Sequence, residues 1–213
     1  LMIGRGNTSA RKHLRHLSFI GQLNDSIPEY QDFLVRDPSI TSHFWDTIHG
    51  TLSKDWDILY FSVLLGDSHL LTSLGNPETL YPQQSPYLTL CGDWDDLLAS
   101  KSKNFRKKIR NPMNRLEKNH QVQVHRAGTD LPLETAMDIL VKLNQQRWGD
   151  DSRSFHHDSF KAFHLDLAQK LLQKDRLALY LLQVDGSYVA AQHDFIYNQK
   201  AWGFQGGWDP NFS

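Results

Sequence analysis

Cysteine is almost absent from this chain, in which Cys91 is the single thiol among 213 residues. One cysteine excludes an internal disulfide framework and leaves no cysteine cluster for zinc. The chain also lacks a run of about 18 uncharged apolar residues, which is roughly what a membrane-spanning helix needs. Its amino end carries no apolar secretory core, so neither a membrane span nor export is indicated. These absences favour the cytoplasm.

A strong net charge is absent too, because 23 Lys and Arg residues nearly balance 24 Asp and Glu residues. The formal net charge of -1 argues against a general polyanion binder. With 39% hydrophobic residues, the composition is that of a globular protein long enough to bury a sizeable core. The charges are unevenly distributed, since Asp93, Asp95 and Asp96 precede a cluster of Lys and Arg. Clusters of charge along the chain should therefore matter more for binding than the net charge of the whole chain.

The first part of the chain predicts a mixed but incomplete α/β region. From Ser42 to Leu52 apolar residues recur at helical spacing, with Thr41 or Ser42 as the cap. Two apolar segments, Asp57 to Leu65 and Pro86 to Leu90, predict strands separated by a linker rich in turn residues.

The next segment, Asp93 to Asn119, predicts one long amphipathic helix. Its aspartates lie at the amino end, where the helix dipole favours anions, and its basic residues follow. Pro112 should break or kink it. One face is apolar and the other faces are basic. The apolar residues are Phe105, Ile109, Met113 and Leu116, and the basic ones include Lys103, Arg106, Lys107 and Arg110.

After this segment the pattern predicts a short strand, Gln121 to Arg126, followed by two helices. Thr129 or Asp130 caps the first helix, which has Pro132 in its first turn and extends to Trp148. Asp158 or Ser159 caps the second helix. Its predicted buried face consists of Phe160, Phe163, Leu167 and Leu171.

Three antiparallel strands should follow the helices. Leu177 to Val184 is apolar on both faces, as in a central strand. Asp185-Gly186 is a strong two-residue hairpin signal, so Ser187 to Tyr197 should return beside it. A second turn at Asn198-Gln199 leads into the last strand, Ala201 to Gly206.

Short motifs accompany this order of elements. They are Ser100-Lys101-Ser102-Lys103, Arg106-Lys107-Lys108-Ile109-Arg110, Leu116-Glu117, Arg147-Trp148, Val184-Asp185-Gly186, Val189-Ala190-Ala191 and Gly206-Gly207-Trp208-Asp209-Pro210. In this order and spacing the chain resembles the GNAT superfamily of acyl-CoA-dependent N-acyltransferases. In detail it resembles the CelD/BcsL acetyltransferases, which are related to the FemABX transferases.

The resemblance implies an α/β (α+β) fold of two partial GNAT-like halves, with a mixed, mainly antiparallel sheet flanked by helices. Residues 1–92 would form part of an N-terminal half, 93–120 a basic connecting helix, and 121–213 the first part of a C-terminal acyltransferase domain. The chain begins at Leu1 without an initiator methionine and stops before the family's cofactor loop. We therefore expect it to be truncated at both ends.

The same resemblance implies transfer of an acyl group from acetyl-CoA or another acyl-CoA to an amine. The acceptor would be a small-molecule or saccharide amine in polysaccharide or cell-envelope biosynthesis, and no metal is needed. Catalysis would require placing the amine, removing its proton and stabilising the oxyanion. The alternatives are a non-catalytic GNAT-like binding module and a Fem-type transferase that uses aminoacyl-tRNA.

Candidate site residues lie on the last two predicted strands. Gln192 and Asp194 are two apart and should share a sheet face, as should Gly203 and Gln205. We interpret Asp194 or His193 as the group that orients or deprotonates the amine, with Gln192 and Gln205 as hydrogen-bonding groups. The alternative is that these are paired structural groups or face solvent.

Two further pairs complete the predicted site. Gly203 and Gly206 would let the pantetheine arm of the cofactor approach the backbone closely, although a bulge or a turn would also explain glycine there. Arg147 and Trp148, at the end of the first helix, are predicted to bind substrate.

The basic residues Lys103, Arg106, Lys107 and Arg110 admit three interpretations. They form a solvated face or a clamp on the other half-domain, or they bind an anionic substrate such as a nucleotide-sugar, a polysaccharide or a CoA phosphate. The third is RNA, since Fem transferases use aminoacyl-tRNA. Aromatic residues are not interleaved with the basic run as base stacking would favour.

Weaker candidates are a histidine cluster and the lone cysteine. His156, His157 and Asp158 with His164 match no metal-binding motif. Cys91 has no basic or histidine neighbour in sequence to activate it as a nucleophile. We predict neither metal binding nor cysteine catalysis.

Overall fold

In the described residues of the first unit, Leu1–Ser85, a three-stranded sheet is accompanied by two α-helices and a short 3-10 helix. Strands β1 (Met2–Thr8) and β2 (Arg11–Ser18) are antiparallel, and β3 (Ile58–Leu59) pairs in parallel with β2. The helices are α1 (Thr41–Leu52) and α2 (His69–Ser73). The computed structural model describes residues 2–8, 11–20, 30–61, 63–74, 84–90, 92–149, 155 and 157–212.

The predicted helix of this unit is confirmed, but its cap and both strands differ. A 3-10 helix, Pro38–Ile40, precedes α1, and Asp37 caps it by accepting a hydrogen bond from the Ser39 N–H. Only Ile58 and Leu59 of the predicted strand join a ladder. The predicted strand at residues 86–90 is wrong, because these exposed residues join none of the strand ladders of the described chain. An apolar run becomes a strand only where a neighbour satisfies its backbone groups.

The second unit, Pro86–Ser213, is built on a four-stranded antiparallel sheet in the order β4-β5-β6-β7. The α+β fold class is thereby confirmed. The strands are β4 (Val122–Arg126), β5 (Leu177–Val184), β6 (Ser187–Tyr197) and β7 (Lys200–Trp208). The helices are α3 (Trp94–Ala99), α4 (Lys103–Asn119), α5 (Leu133–Trp148) and α6 (Asp158–Leu172).

The prediction of one continuous helix from Asp93 to Asn119 is wrong, because the segment forms two helices. Asp93 and Asp96 form a capping box at the start of α3. Ser102 then accepts a hydrogen bond from the Phe105 N–H at 3.3 Å and starts α4 as a separate helix. Pro112 lies inside α4 and does not end it.

Both hairpin turns are confirmed. Asp185 and Gly186 have φ of 49° and 83°, and Asn198 and Gln199 have φ of 48° and 58°. Two successive positive φ values match the twist of the flanking strands and give tight two-residue turns.

Helices α5 and α6 cover one face of the sheet and form the main core with it. The predicted caps are wrong, since the residues before the helices are Pro132 and His157, neither with a side-chain cap bond. The buried residues of α6 are His164 and Ala168, whereas Phe163 is 56% exposed. The core comprises Ala127, Leu133, Ala136, Met137, Leu140, Leu143, Phe155, Ala168, Leu177, Leu179, Leu181 and Ala191.

Candidate active site

The sheet of the second unit has a helix-covered face and an open face. Residues directly opposite in antiparallel strands point to the same side. One row across the open face consists of Val124, Leu182, Ala190 and Trp208. The next rows contain Tyr180, Gln192 and Gly206, then Ala178, Asp194 and Gly203. Val124 is 62% exposed, so this face of the sheet is accessible.

Gln192 and Asp194 form the polar centre of the open face. Gln192 Nε2 donates to Asp194 Oδ1 at 2.5 Å. The two residues share a face, as the spacing predicted. Beside them, Gly203 and Gly206 leave the backbone of β7 without side chains. A Cβ on Gly206 would lie 3.0 Å from Gln192 Oε1 and 3.2 Å from the Ala191 carbonyl oxygen. A side chain at this position would therefore be in tight contact with both oxygen atoms.

A β-bulge in β7 separates two residues that were predicted to share a face. His193 pairs with Gln205, and Asp194 pairs with Gly203, which leaves Phe204 as an extra residue. Gly203 consequently lies on the open face and Gln205 on the helix-covered face. There Gln205 Oε1 accepts a hydrogen bond from Asn144 Nδ2 at 3.2 Å.

His193 also lies on the helix-covered face, opposite to Asp194. It is 0% exposed, and neither ring nitrogen has a hydrogen-bond partner among the described residues. Phe195 and Phe204 pack around it with ring centroids at 4.9 and 5.5 Å. Burial, together with the nearby His164, lowers the pKa of His193 to about 4. The imidazole is thus neutral at physiological pH.

A shallow cavity of about 270 Å³ opens on the accessible face. Its lining includes Tyr180, Gln192 and Gly206 of the sheet and Arg147 of α5. Most of the lining is apolar, with a few polar groups, which is the usual character of a small-molecule site.

Arg147 is held between two indole rings at the rim of this cavity. Its guanidinium carbon lies 3.6 Å from the ring centroid of Trp208 and 4.2 Å from that of Trp148. Partial burial lowers the pKa of Arg147, yet a guanidinium remains charged at neutral pH. Stacking fixes the plane of the cation and leaves its N–H groups directed sideways. Trp208 and Tyr180 were not predicted as site residues, because neither spacing nor charge distinguishes them from packing residues.

The predicted basic residues of α4 are not brought to this cavity by any contact among the described residues. Arg110 pairs with Asp95 at 2.9 Å, and Arg106 donates to the carbonyl oxygens of Ala99 and Lys101. Lys103 and Lys107 are exposed. Two of the four basic residues thus have local structural partners.

The remaining candidates are the histidine cluster and the lone cysteine. No group of three or more His, Cys, Asp or Glu side chains in that part could hold a metal ion. Cys91 and His156 lie outside the described residues. None of the described helices combines the length and the apolar character needed to cross a bilayer.

Comparison with known proteins identifies the second unit. Residues 103–213, slightly more than half of the chain, match the acetyltransferase (GNAT) domain family. No curated protein and no solved structure matches the chain significantly. The match covers α4, the sheet and both covering helices, including every residue of the open face described above. The chain belongs to the acetyltransferase (GNAT) domain family.

Proposed function

We propose that this protein is an N-acyltransferase in which the open face of the sheet brings an amine and an acyl-CoA thioester together. The observation that supports it is the Gln192–Asp194 pair beside the bare backbone of Gly203 and Gly206, in a domain of an acetyltransferase family. Acyl-CoA is a co-substrate here, and acetyl-CoA is the donor that we expect.

The reaction needs one positioned proton acceptor. The amine nitrogen attacks the thioester carbonyl carbon, a C–N bond forms, and the C–S bond breaks. We assign the proton lost by nitrogen to the carboxylate of Asp194, and the thiolate of CoA takes a proton from water. Gln192 holds one carboxylate oxygen, which orients the group and leaves the second oxygen to receive the proton. His193 is not assigned this role, because it is buried on the opposite face.

The residues that line the cavity also suggest the chemical class of the acceptor. Arg147 presents a fixed planar cation, which suits a phosphate or carboxylate. Tyr180 and Trp208 present aromatic rings with an apolar face and a polar edge, on which the C–H face of a sugar can pack. We therefore propose an anionic saccharide amine, such as a nucleotide-linked amino sugar of polysaccharide or cell-envelope biosynthesis. The role in polysaccharide or cell-envelope biosynthesis and the membership of the CelD/BcsL branch are parts of this proposal. So is a cytoplasmic location, because acyl-CoA is available there.

The test is an acyl-transfer assay on the purified full chain. Release of free CoA thiol from acetyl-CoA is followed with free amino sugars, nucleotide-linked amino sugars and neutral amines. We expect turnover with the nucleotide-linked amines to exceed that with neutral amines. Binding of acetyl-CoA without transfer to any amine would favour the non-catalytic module. Transfer from aminoacyl-tRNA but not from acetyl-CoA would favour a Fem-type transferase.

A further inference from the structure

Helix α4 has an apolar stripe on one side and basic residues around the rest of its surface. Its apolar residues Phe105, Ile109, Met113 and Leu116 fall within a stripe of about 100° on one side. None of the residues of α4 is buried, and Phe105 and Met113 are 46% and 44% exposed. A stripe of this kind normally packs against a core. In its own unit, no described helix or strand packs along the length of α4.

The charged residues of this helix are almost all basic. Helix α4 carries seven Lys and Arg residues against the single acid Glu117. On the helical wheel, Lys108 and Arg115 lie on one side of the apolar stripe, and Arg106 and Arg110 lie on the other. Cations therefore flank the apolar residues on both sides, although the whole chain is nearly neutral.

We propose that α4 docks on an anionic phospholipid surface, with its axis in the plane of the interface. Phe105, Ile109 and Met113 would enter the boundary between headgroups and acyl chains, and the flanking Lys and Arg would reach the lipid phosphates. This mode of binding uses the stripe and the cations together. It needs no spanning helix, because an interfacial helix lies on the bilayer.

Two other kinds of binding partner would each contact only the cations or only the apolar stripe of α4. An RNA backbone would satisfy the cations but would leave exposed apolar side chains in water. A second copy of this chain would cover the apolar stripe but would bring two strongly basic helices together. Charge complementarity therefore favours a surface that is both anionic and apolar beneath its charges. This inference does not depend on the proposed acyl transfer.

The experiment measures sedimentation of the full chain with lipid vesicles. One set contains phosphatidylcholine alone, and the other contains equal parts of phosphatidylcholine and phosphatidylglycerol. We expect binding to the anionic set, weakened by salt, and little binding to the neutral set. No binding to the anionic vesicles overturns the proposal.

Two helix variants separate the contributions of charge and apolar surface. The charge variant carries Lys108→Gln and Arg115→Gln, two exposed cations beside the stripe, and should lower vesicle partitioning about thirtyfold. The apolar variant carries Phe105→Gln and Met113→Gln, and should lower it at least about tenfold. Glutamine is a good helix former and these side chains are exposed, so both variants should fold, which circular dichroism checks.

A matched control replaces two cations and one aromatic residue with glutamine outside α4. Lys142→Gln, Lys174→Gln and Phe163→Gln alter exposed residues of the same unit and should leave partitioning unchanged. If the control weakens binding as much as the helix variants, α4 is not the docking surface. If the apolar variant binds vesicles as the wild type does, the attachment is purely electrostatic and the proposal is wrong. If tRNA binds tightly, competes with vesicles and binds the apolar variant as strongly as the wild type, α4 is an RNA-binding surface instead.

Discussion

Gly207 of β7 lies directly against the backbone of Asn144 in α5, so closely that the strand has no room for a side chain at this position. A Cβ built on Gly207 would overlap the Asn144 backbone nitrogen and the carbonyl carbon of Leu143. Asn144 Nδ2 also donates to the carbonyl oxygen of the neighbouring Gly206 at 3.0 Å. Helix and strand are thus joined by close contact and by a buried hydrogen bond, and this junction places Arg147, one turn later, at the cavity.

Replacing Gly207 with alanine should therefore destabilise the second unit. The methyl group meets helix backbone rather than a flexible side chain, so α5 must move, at a cost of about 3 kcal/mol. Chemical denaturation followed by circular dichroism measures the change. Gly203→Ala is the matched control on the same strand, because its Cβ would be 3.7 Å from the nearest atom. Equal loss in both variants would contradict the explanation by close packing.

The buried His193 should make the stability of the protein fall in mild acid. Its pKa is about 4 in the folded protein and near 6.5 in the unfolded chain, so only the unfolded chain gains the proton between these values. Folding stability contributed by the neutral imidazole is thus complete above pH 6.5 and declines as the pH falls towards 4, by about 3 kcal/mol in total.

The variant His193→Phe tests this dependence on pH. Phenylalanine fits the aromatic surroundings and cannot be protonated, so the slope of unfolding free energy against pH should flatten between pH 6.5 and 4. Burial lowers the pKa of the neighbouring His164 as well, so part of the slope should remain. A variant whose stability falls in parallel with the wild type would show that His193 is not the responsible group.

Asp194→Asn should reduce turnover with little effect on folding. The amide keeps the size of the side chain but cannot accept the proton from the amine, so we expect kcat to fall at least about a hundredfold. Raising the pH should restore part of the activity, because the amine then loses its proton to solvent. Asp138→Asn, at an exposed position on α5, is the control. Unchanged kcat in Asp194→Asn would remove this residue from the proposed chemistry.

Arg147→Lys should weaken binding of the acceptor more than it slows the reaction. Lysine keeps the charge but loses the flat guanidinium that stacks between Trp148 and Trp208. We expect the KM for an anionic acceptor to rise about tenfold, with kcat and the KM for acetyl-CoA nearly unchanged. A rise in the KM for acetyl-CoA alone would instead place the CoA phosphates at Arg147.

The sequence by itself determined the order of elements from β4 to β7 in the second unit. The turns Asp185-Gly186 and Asn198-Gln199 were readable because two-residue hairpins demand residues that tolerate positive φ. Strand β5 was readable as a short continuous apolar run, and helix α5 because the period of its apolar residues agrees with its burial. Alternation along β6 was enough to place Gln192 and Asp194 together, since a regular strand has a period of two.

Only the tertiary structure decided which face each residue of β7 occupies. The bulge at Phe204 moves Gln205 away from Gly203, and the local sequence does not specify it. The stacking of Arg147 on Trp208 likewise joins residues far apart in sequence, through the close approach of α5 at Gly207. His193 is adjacent to Asp194 in the chain but lies on the other side of the sheet, where the covering helices bury it and keep its imidazole neutral. Periodicity gives alternation along one strand, whereas packing between elements decides which side is covered.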